Sequence, residues 1–185
     1  MSKKSTIVRM AQDSFLVIRI AAGDEKAFKQ LYDRYFKDIY RFIYFKVGAV
    51  EVAEDTASDT FFKVWHYIKQ GKKIRSARAL LYQTARNKII DYYRKRQDEQ
   101  LEAVEQIPFI DVSLEEQTDR TEVLEKVYAQ LRKLKHEYRE VIELRYLHQL
   151  SHNEIGNIIG KKGGAVRVLL HRAILQLKRD LPDHL

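Results

Sequence analysis

No cysteine occurs in the 185 residues, which removes a disulfide framework, a thiolate zinc site and a cysteine nucleophile together. A reducing compartment is the easy home of such a chain. Proline appears only at Pro108 and Pro182, and four of the seven glycines crowd between 156 and 164. Helix breakers are therefore almost missing before residue 107. No apolar run reaches the roughly 18 residues of a membrane span, and the opening MSKKSTIVRM has no long apolar stretch with a small-residue cleavage site. The sequence predicts neither export nor membrane insertion. Alternating apolar and polar residues, the mark of a half-buried strand, are missing as well.

What the chain has in excess is positive charge. A formal charge of +8 and a pI near 9.5 point to a polyanionic partner, because clustered Lys and Arg gain affinity by releasing counterions from phosphates. The charge is unevenly spread. Between Gln97 and Asp119 stand eight acids (Asp98, Glu99, Glu102, Glu105, Asp111, Glu115, Glu116 and Asp119) and no Lys or Arg. A segment of −8 inside a chain of +8 leaves +16 on the remainder. With Pro108 in it and no sustained periodicity, the segment reads as an acidic linker between two basic domains.

Helical spacing runs through both flanks. Before the linker it is carried by Phe28, Leu31, Tyr32, Tyr35 and Ile39, then Thr60, Phe61, Val64, Trp65 and Ile68, then Leu81, Ala85, Ile89 and Tyr92. Asp24 has the place of an N-cap, and Gly48 and Gly71 fall where the pattern breaks. After the linker the pattern resumes through Val123, Val127, Leu131, Leu134, Val141 and Leu144, then Ile155, Ile158 and Ile159, then Val166, Leu169, Leu170, Ile174 and Leu177, with Pro182 closing it. The expected fold class is all-α, as two helical domains.

The stretch IIGKKGGAVRVL at 158–169 admits two readings. It could be the GXXG loop of a KH module or the turn of a helix-turn-helix. A KH module needs a sheet, and the residues after Gly164 carry the pattern of one amphipathic helix. Upstream, Ser151 and Glu154 fit a capping box, Gly160 has the place of a helix stop, and Gly156 lies on an inner face. The helix-turn-helix is the reading that fits. Its second helix, starting near Gly163 or Gly164, turns Arg167, His171, Val168 and Arg172 outward, with Lys161 and Lys162 in the turn. Six Lys or Arg and no acid occur from Lys161 to Arg179. Arg167 can donate bidentately to guanine, and the lysines and Arg172 can meet phosphates.

A second basic stretch, KKIRSARALLYQTARNKIIDYYRKRQ, mixes Lys72, Lys73, Arg75 and Arg78 with Gln83, Arg86, Asn87 and Arg94. Basic groups among amide and aromatic side chains suit duplex edges and unstacked bases alike.

Two such surfaces around an acidic linker resemble the small, two-domain, extracytoplasmic-function (ECF) group of bacterial sigma-70 RNA polymerase sigma factors. RIAAGDEKAFKQLYDRYFKDIYRFIY is similar to the start of that family's domain 2, VEVAEDTASDTFFKVW to its polymerase-binding helix, and LLYQTARNKIIDYYRKR to its minus-10 helix. The segment from LRKLKHEYREVIELRYL to the last helix resembles domain 4. The resemblance implies domain 2 over 13–96, the linker over 97–120 and domain 4 over 121–183, in a transcription initiation factor of the bacterial cytoplasm. By the same resemblance Glu54, Asp55 and Asp59 would face core RNA polymerase. Arg75, Arg78, Arg86, Asn87, Asp91 and Arg94 would lie at the minus-10 element, and Lys161, Lys162, Arg167, Val168, His171 and Arg172 at minus-35. The linker would thread the polymerase cleft. Core RNA polymerase, promoter DNA and an anti-sigma factor are the implied partners. Three places depart from the usual pattern: Thr56, Ser58 and Asp59 where a Leu-x-Gln-Glu pattern is usual, Leu80 in place of a frequent tryptophan, and Lys162-Gly163 where a Ser or Thr often caps the reading helix.

An enzyme is not expected, and no catalytic residue, metal or cofactor is assigned. His148 and His152 have the i, i+4 spacing of a metalloprotease pair, but no Glu follows His148 and the Ser151 cap puts the two on different elements. A repressor acting alone would ordinarily dimerise on a palindrome, and the chain offers no long heptad for that.

Overall fold

The computed structural model describes residues 3–100 and 129–180. Every regular element among them is a helix. The chain divides into two units, Met1–Val104 and Glu105–Leu185.

The first unit holds α1 (Lys3–Ala21), α2 (Glu25–Val47), α3 (Val50–Lys69) and α4 (Ala77–Gln100). Asp24 caps α2 as expected, accepting from the Ala27 N–H at 3.1 Å. The Arg19 guanidinium, 2.6 Å away, and that N–H hold its carboxyl below the usual carboxylate range. Gly48 ends α2 in the left-handed region, its N–H bonded to the Tyr44 carbonyl. The stripe through Leu31, Tyr35, Ile39, Phe42 and Ile43 is buried against Phe61, Val64 and Ile68 of α3 and Leu81, Tyr82, Ala85 and Ile89 of α4. Rings lock the layers: Phe42 meets Tyr82 edge-on at 5.1 Å, and Tyr32 meets Phe61 at 4.7 Å. Phe28, Trp65 and Tyr92, read from spacing as inward, are only half-buried.

A fully buried tyrosine needs a partner for its hydroxyl. Tyr35 donates to buried Asp13 of α1 at 2.5 Å, and Arg34 pairs with the other carboxylate oxygen. Burial and Asp13 push the Tyr35 hydroxyl far above the ordinary tyrosine value. The first helix is thereby pinned to the second, and it begins at Lys3, well before the expected domain start at 13.

The second unit begins, among described residues, with helical residues 129–133. Then come α5 (His136–Ile142), a π-helical turn (Glu143–Leu147), α6 (His152–Ile159) and α7 (Gly163–Asp180). Its core is Leu134, Val141, Leu144, Leu150, Ile155, Ile158, Val166, Leu170 and Ala173. Ile159 and Leu169, expected to share this packing, are half-buried. The positions Val123, Val127, Pro108 and Pro182, and the linker beyond residue 100, lie outside the described residues.

Candidate nucleic-acid interfaces

In the first unit, α3 carries an acidic outer face. Glu54, Asp55 and Asp59 are all exposed. Adjacent aromatics on a helix point about 100° apart, so burying Phe61 turns its neighbour out, and Phe62 keeps 65% of its surface exposed. Its ring sits 6.0 Å from Trp65. Phe62 was missed from sequence because the FF pair was read only through its inward member. A large exposed ring beside three carboxylates is the composition of a docking face.

The minus-10 set is split by depth. The turn before α4 runs through Gly71, at φ +67°, and the Ser76 hydroxyl starts the helix by accepting from the Ala79 N–H at 3.1 Å. Arg75, Asn87, Asp91 and Arg94 are exposed, and Arg86 is half-buried. Arg78 is not on that surface: it is 8% exposed, with its guanidinium 5.9 Å from the centre of the Tyr82 ring. Arg78 lies within the first turn of α4, where its side chain packs under the basic run instead of extending from it. Two ion pairs lie on this helix. Arg94 meets Asp91 at 3.1 Å, and Lys88 crosses to Asp59 at 2.7 Å. Asp59 thus belongs to an ion pair between α3 and α4 while two thirds of its side chain, 68%, stays in solvent.

In the second unit the capping box is formed. Ser151 Oγ accepts from the Glu154 N–H at 3.3 Å, and the Glu154 carboxylate accepts from the Ser151 N–H at 2.9 Å. Gly160 closes α6 at φ +72°. Gly156 is needed for a reason different from helix spacing alone: a Cβ there would stand 2.4 Å from the Lys161 carbonyl, and the Lys161 N–H donates to the Gly156 carbonyl at 2.8 Å. The turn folds directly on to the helix it follows.

The start of α7 is close-packed on one side: a Cβ on Gly163 would stand 2.2 Å from Asn153 Oδ1. The Val166 N–H donates to the Lys162 carbonyl at 3.1 Å, so Lys162 holds the N-cap place and Gly163 is the first helical residue. From that start α7 buries Val166, Leu170 and Ala173 and exposes Arg167, Val168, His171 and Arg172. The six expected minus-35 residues are all exposed. Lys161, however, pairs with Glu137 of α5 at 2.8 Å.

Comparison with known proteins bears on this arrangement. A family model of sigma-70 region 2 matches residues 31–99, and one of sigma-70 region 4 matches 124–177. ECF RNA polymerase sigma factor SigW of Bacillus subtilis is 31% identical over 176 residues, covering 89% of this chain and 94% of SigW. The chain belongs to the sigma-70 family, in its ECF group. These are promoter-directing transcription initiation factors, not enzymes. ECF RNA polymerase sigma factor BldN of Streptomyces coelicolor is 34% identical over 179 residues, 91% of this chain, which spans only 65% of the length of BldN. Among solved structures, CnrH in complex with the cytosolic domain of CnrY matches 91% of this sigma factor and 96% of CnrH at 26% identity, with a TM-score of 0.62. No described helix is long and apolar enough to cross a membrane.

Proposed function

We propose that this sigma factor binds core RNA polymerase through the outer face of α3, melts and holds the minus-10 element with α4, and reads the minus-35 duplex with α7. The observation that carries the reading is α7 itself, which sets Arg167, Val168, His171 and Arg172 outward from a helix-turn-helix whose turn is fixed by a capping box and two tightly placed glycines. Arg167 near the helix start suits a guanine edge, and Lys162 and Arg172 suit phosphates.

On α3, Glu54, Asp55 and Asp59 offer negative charge and Phe62 an apolar anchor, which suits a partner surface of basic and apolar groups. On α4 and the turn before it, Arg75, Arg86, Asn87, Asp91 and Arg94 suit an unstacked strand, with phosphates neutralised by the arginines and base edges met by the amide and carboxylate. Arg78 braces the start of that helix. The domains take the expected spans 13–96 and 121–183, the first extended by α1 back to Lys3 and by α4 on to Gln100, and the acidic segment beyond follows a polymerase path made for nucleic acid. The working place is the bacterial cytoplasm, and an anti-sigma protein silences the factor. CnrH, held by the cytosolic domain of another protein, supports such an arrangement.

In vitro transcription with core polymerase on a promoter library tests this. Initiation at a defined two-element promoter only when the chain is added is the expected result. Tight binding to a palindrome in the absence of polymerase would instead identify a repressor.

A further inference from the structure

The acidic face of α3 and the outward stripe of α4 are tied together by one ion pair. Lys88 of α4 donates from Nζ to Asp59 Oδ2 of α3 at 2.7 Å. On α4 the stripe is carried by Asn87, Asp91 and Arg94, which follow one another at helical spacing and are exposed. Lys88 stands one residue past Asn87 and three before Asp91, and Ile89, its neighbour on the other side, is fully buried. It is a border residue, and its four-carbon stem can carry the ammonium to either side. In the free chain that ammonium is drawn away from the stripe and on to α3. The two partners are unequally covered, since the lysine side chain keeps 24% of its surface in solvent and the aspartate 68%. The carboxylate thus stays open to a second cation from outside. A pair this exposed is weakly held, so a better placed cation can take Asp59 over.

We propose that Lys88 is a sequestered contact to the minus-10 strand, held by Asp59 in the free chain and released when a basic group of core polymerase takes Asp59. This rests on the reading of α3 as the polymerase face and α4 as the minus-10 helix. Only side chains move in the exchange. In the free chain the two charges cancel at the edge of the stripe, so Lys88 adds nothing to the attraction of a strand. Once Asp59 is engaged in an interface that excludes water, its pair with the partner cation strengthens, and Lys88 is left as an ammonium beside Asn87 and Asp91. There it neutralises one strand phosphate and releases one more counterion. Strand holding is in this way made to follow polymerase binding. The coupling is reciprocal: a chain without Lys88 offers polymerase an Asp59 with no competitor from α4.

The test is a double-mutant cycle on the full chain, with anisotropy of a mixed-sequence single strand of about 12 nucleotides followed across a range of salt. Asp59→Asn should bind the strand several-fold more tightly than the wild type. Lys88→Gln should weaken binding by less than about twofold in the wild-type background, where the pair holds the lysine, and several-fold in Asp59→Asn. In the second background it should also lower the salt slope by about 0.7, the value of one single-strand phosphate. Equal losses in the two backgrounds, or no gain from Asp59→Asn, overturn the proposal. Release in the complex is read by acetylation with an amine-reactive ester and mass spectrometry. Labelling of Lys88 relative to exposed Lys95 should rise when the chain assembles with core polymerase, and an unchanged or lower ratio overturns the exchange while the α3 reading stands. Assembly of Asp59→Asn with core polymerase as tight as that of the wild type overturns the role of Asp59 on α3 and the exchange together.

Discussion

The basic faces of α4 and α7 are built on opposite plans. On α4 two cations stand beside acids, exposed Arg94 with Asp91 and half-buried Lys88 with Asp59, and one arginine, Arg78, is withdrawn below the surface. On α7 the outward residues are cationic or apolar, and no acid stands between Lys161 and Arg179. Paired surface charges act over short distances, since screening removes most of their reach beyond a Debye length of about 8 Å. A helix surface with no acid in its own sequence gathers more of the counterion-release free energy of a duplex. The difference teaches that one chain can present basic groups in two ways, among donors and acceptors of both kinds on α4 and as net positive charge on α7.

That contrast extends to what lies beneath each face, and the largest expected effect is there. Phe61 is fully buried against the stacked rings of Tyr32 and Phe36, so Phe61→Ala should cost about 3–5 kcal/mol. Urea unfolding followed at Trp65 would show it, with the α7 unit keeping its own transition. Gly156→Ala strikes the other unit, where the new methyl meets the Lys161 carbonyl. A cost of about 1–3 kcal/mol is expected from such overpacking, visible as loss of the second unit's protection in amide exchange while the first is untouched. Arg167→Ala tests the division of labour itself: about 1–3 kcal/mol of discrimination should vanish at one minus-35 base pair, measured with holoenzyme on a set of single-base promoter variants. Uniform weakening over all of them would make Arg167 a phosphate contact. Smallest is Glu137→Gln. Releasing Lys161 from a half-exposed pair is worth less than about 1 kcal/mol, and should appear as a slightly tighter duplex complex with a steeper salt dependence.

Elements whose causes are local were legible in the sequence. Asp24, the Ser151–Glu154 box, Gly48 and Gly160 act on backbone groups within four residues, and each stands where spacing put it. The tyrosine at 35 was legible as buried, but not its partner, because Asp13 lies 22 residues away on another helix. Arg78 was misplaced for a related reason: in a run of basic residues, composition cannot say which cation the chain will fold over. The π-helical turn over Glu143–Leu147 leaves Leu144 on the inner side, so an apolar pattern alone does not reveal it. Lys161 read as a free phosphate ligand, since Glu137 is a distant surface acid until α5 and the turn are brought together. The inward glycine at 156 was legible, and the carbonyl that requires it was not.

The contact between Asn153 and Gly163 also constrains how relatives of this chain can diverge. A side chain at 163 meets the end of the Asn153 side chain, which must turn aside to admit it. Substitutions at 163 are therefore coupled to the residue at 153, and a library that varies both positions will accept more residues at 163 than one that varies 163 alone.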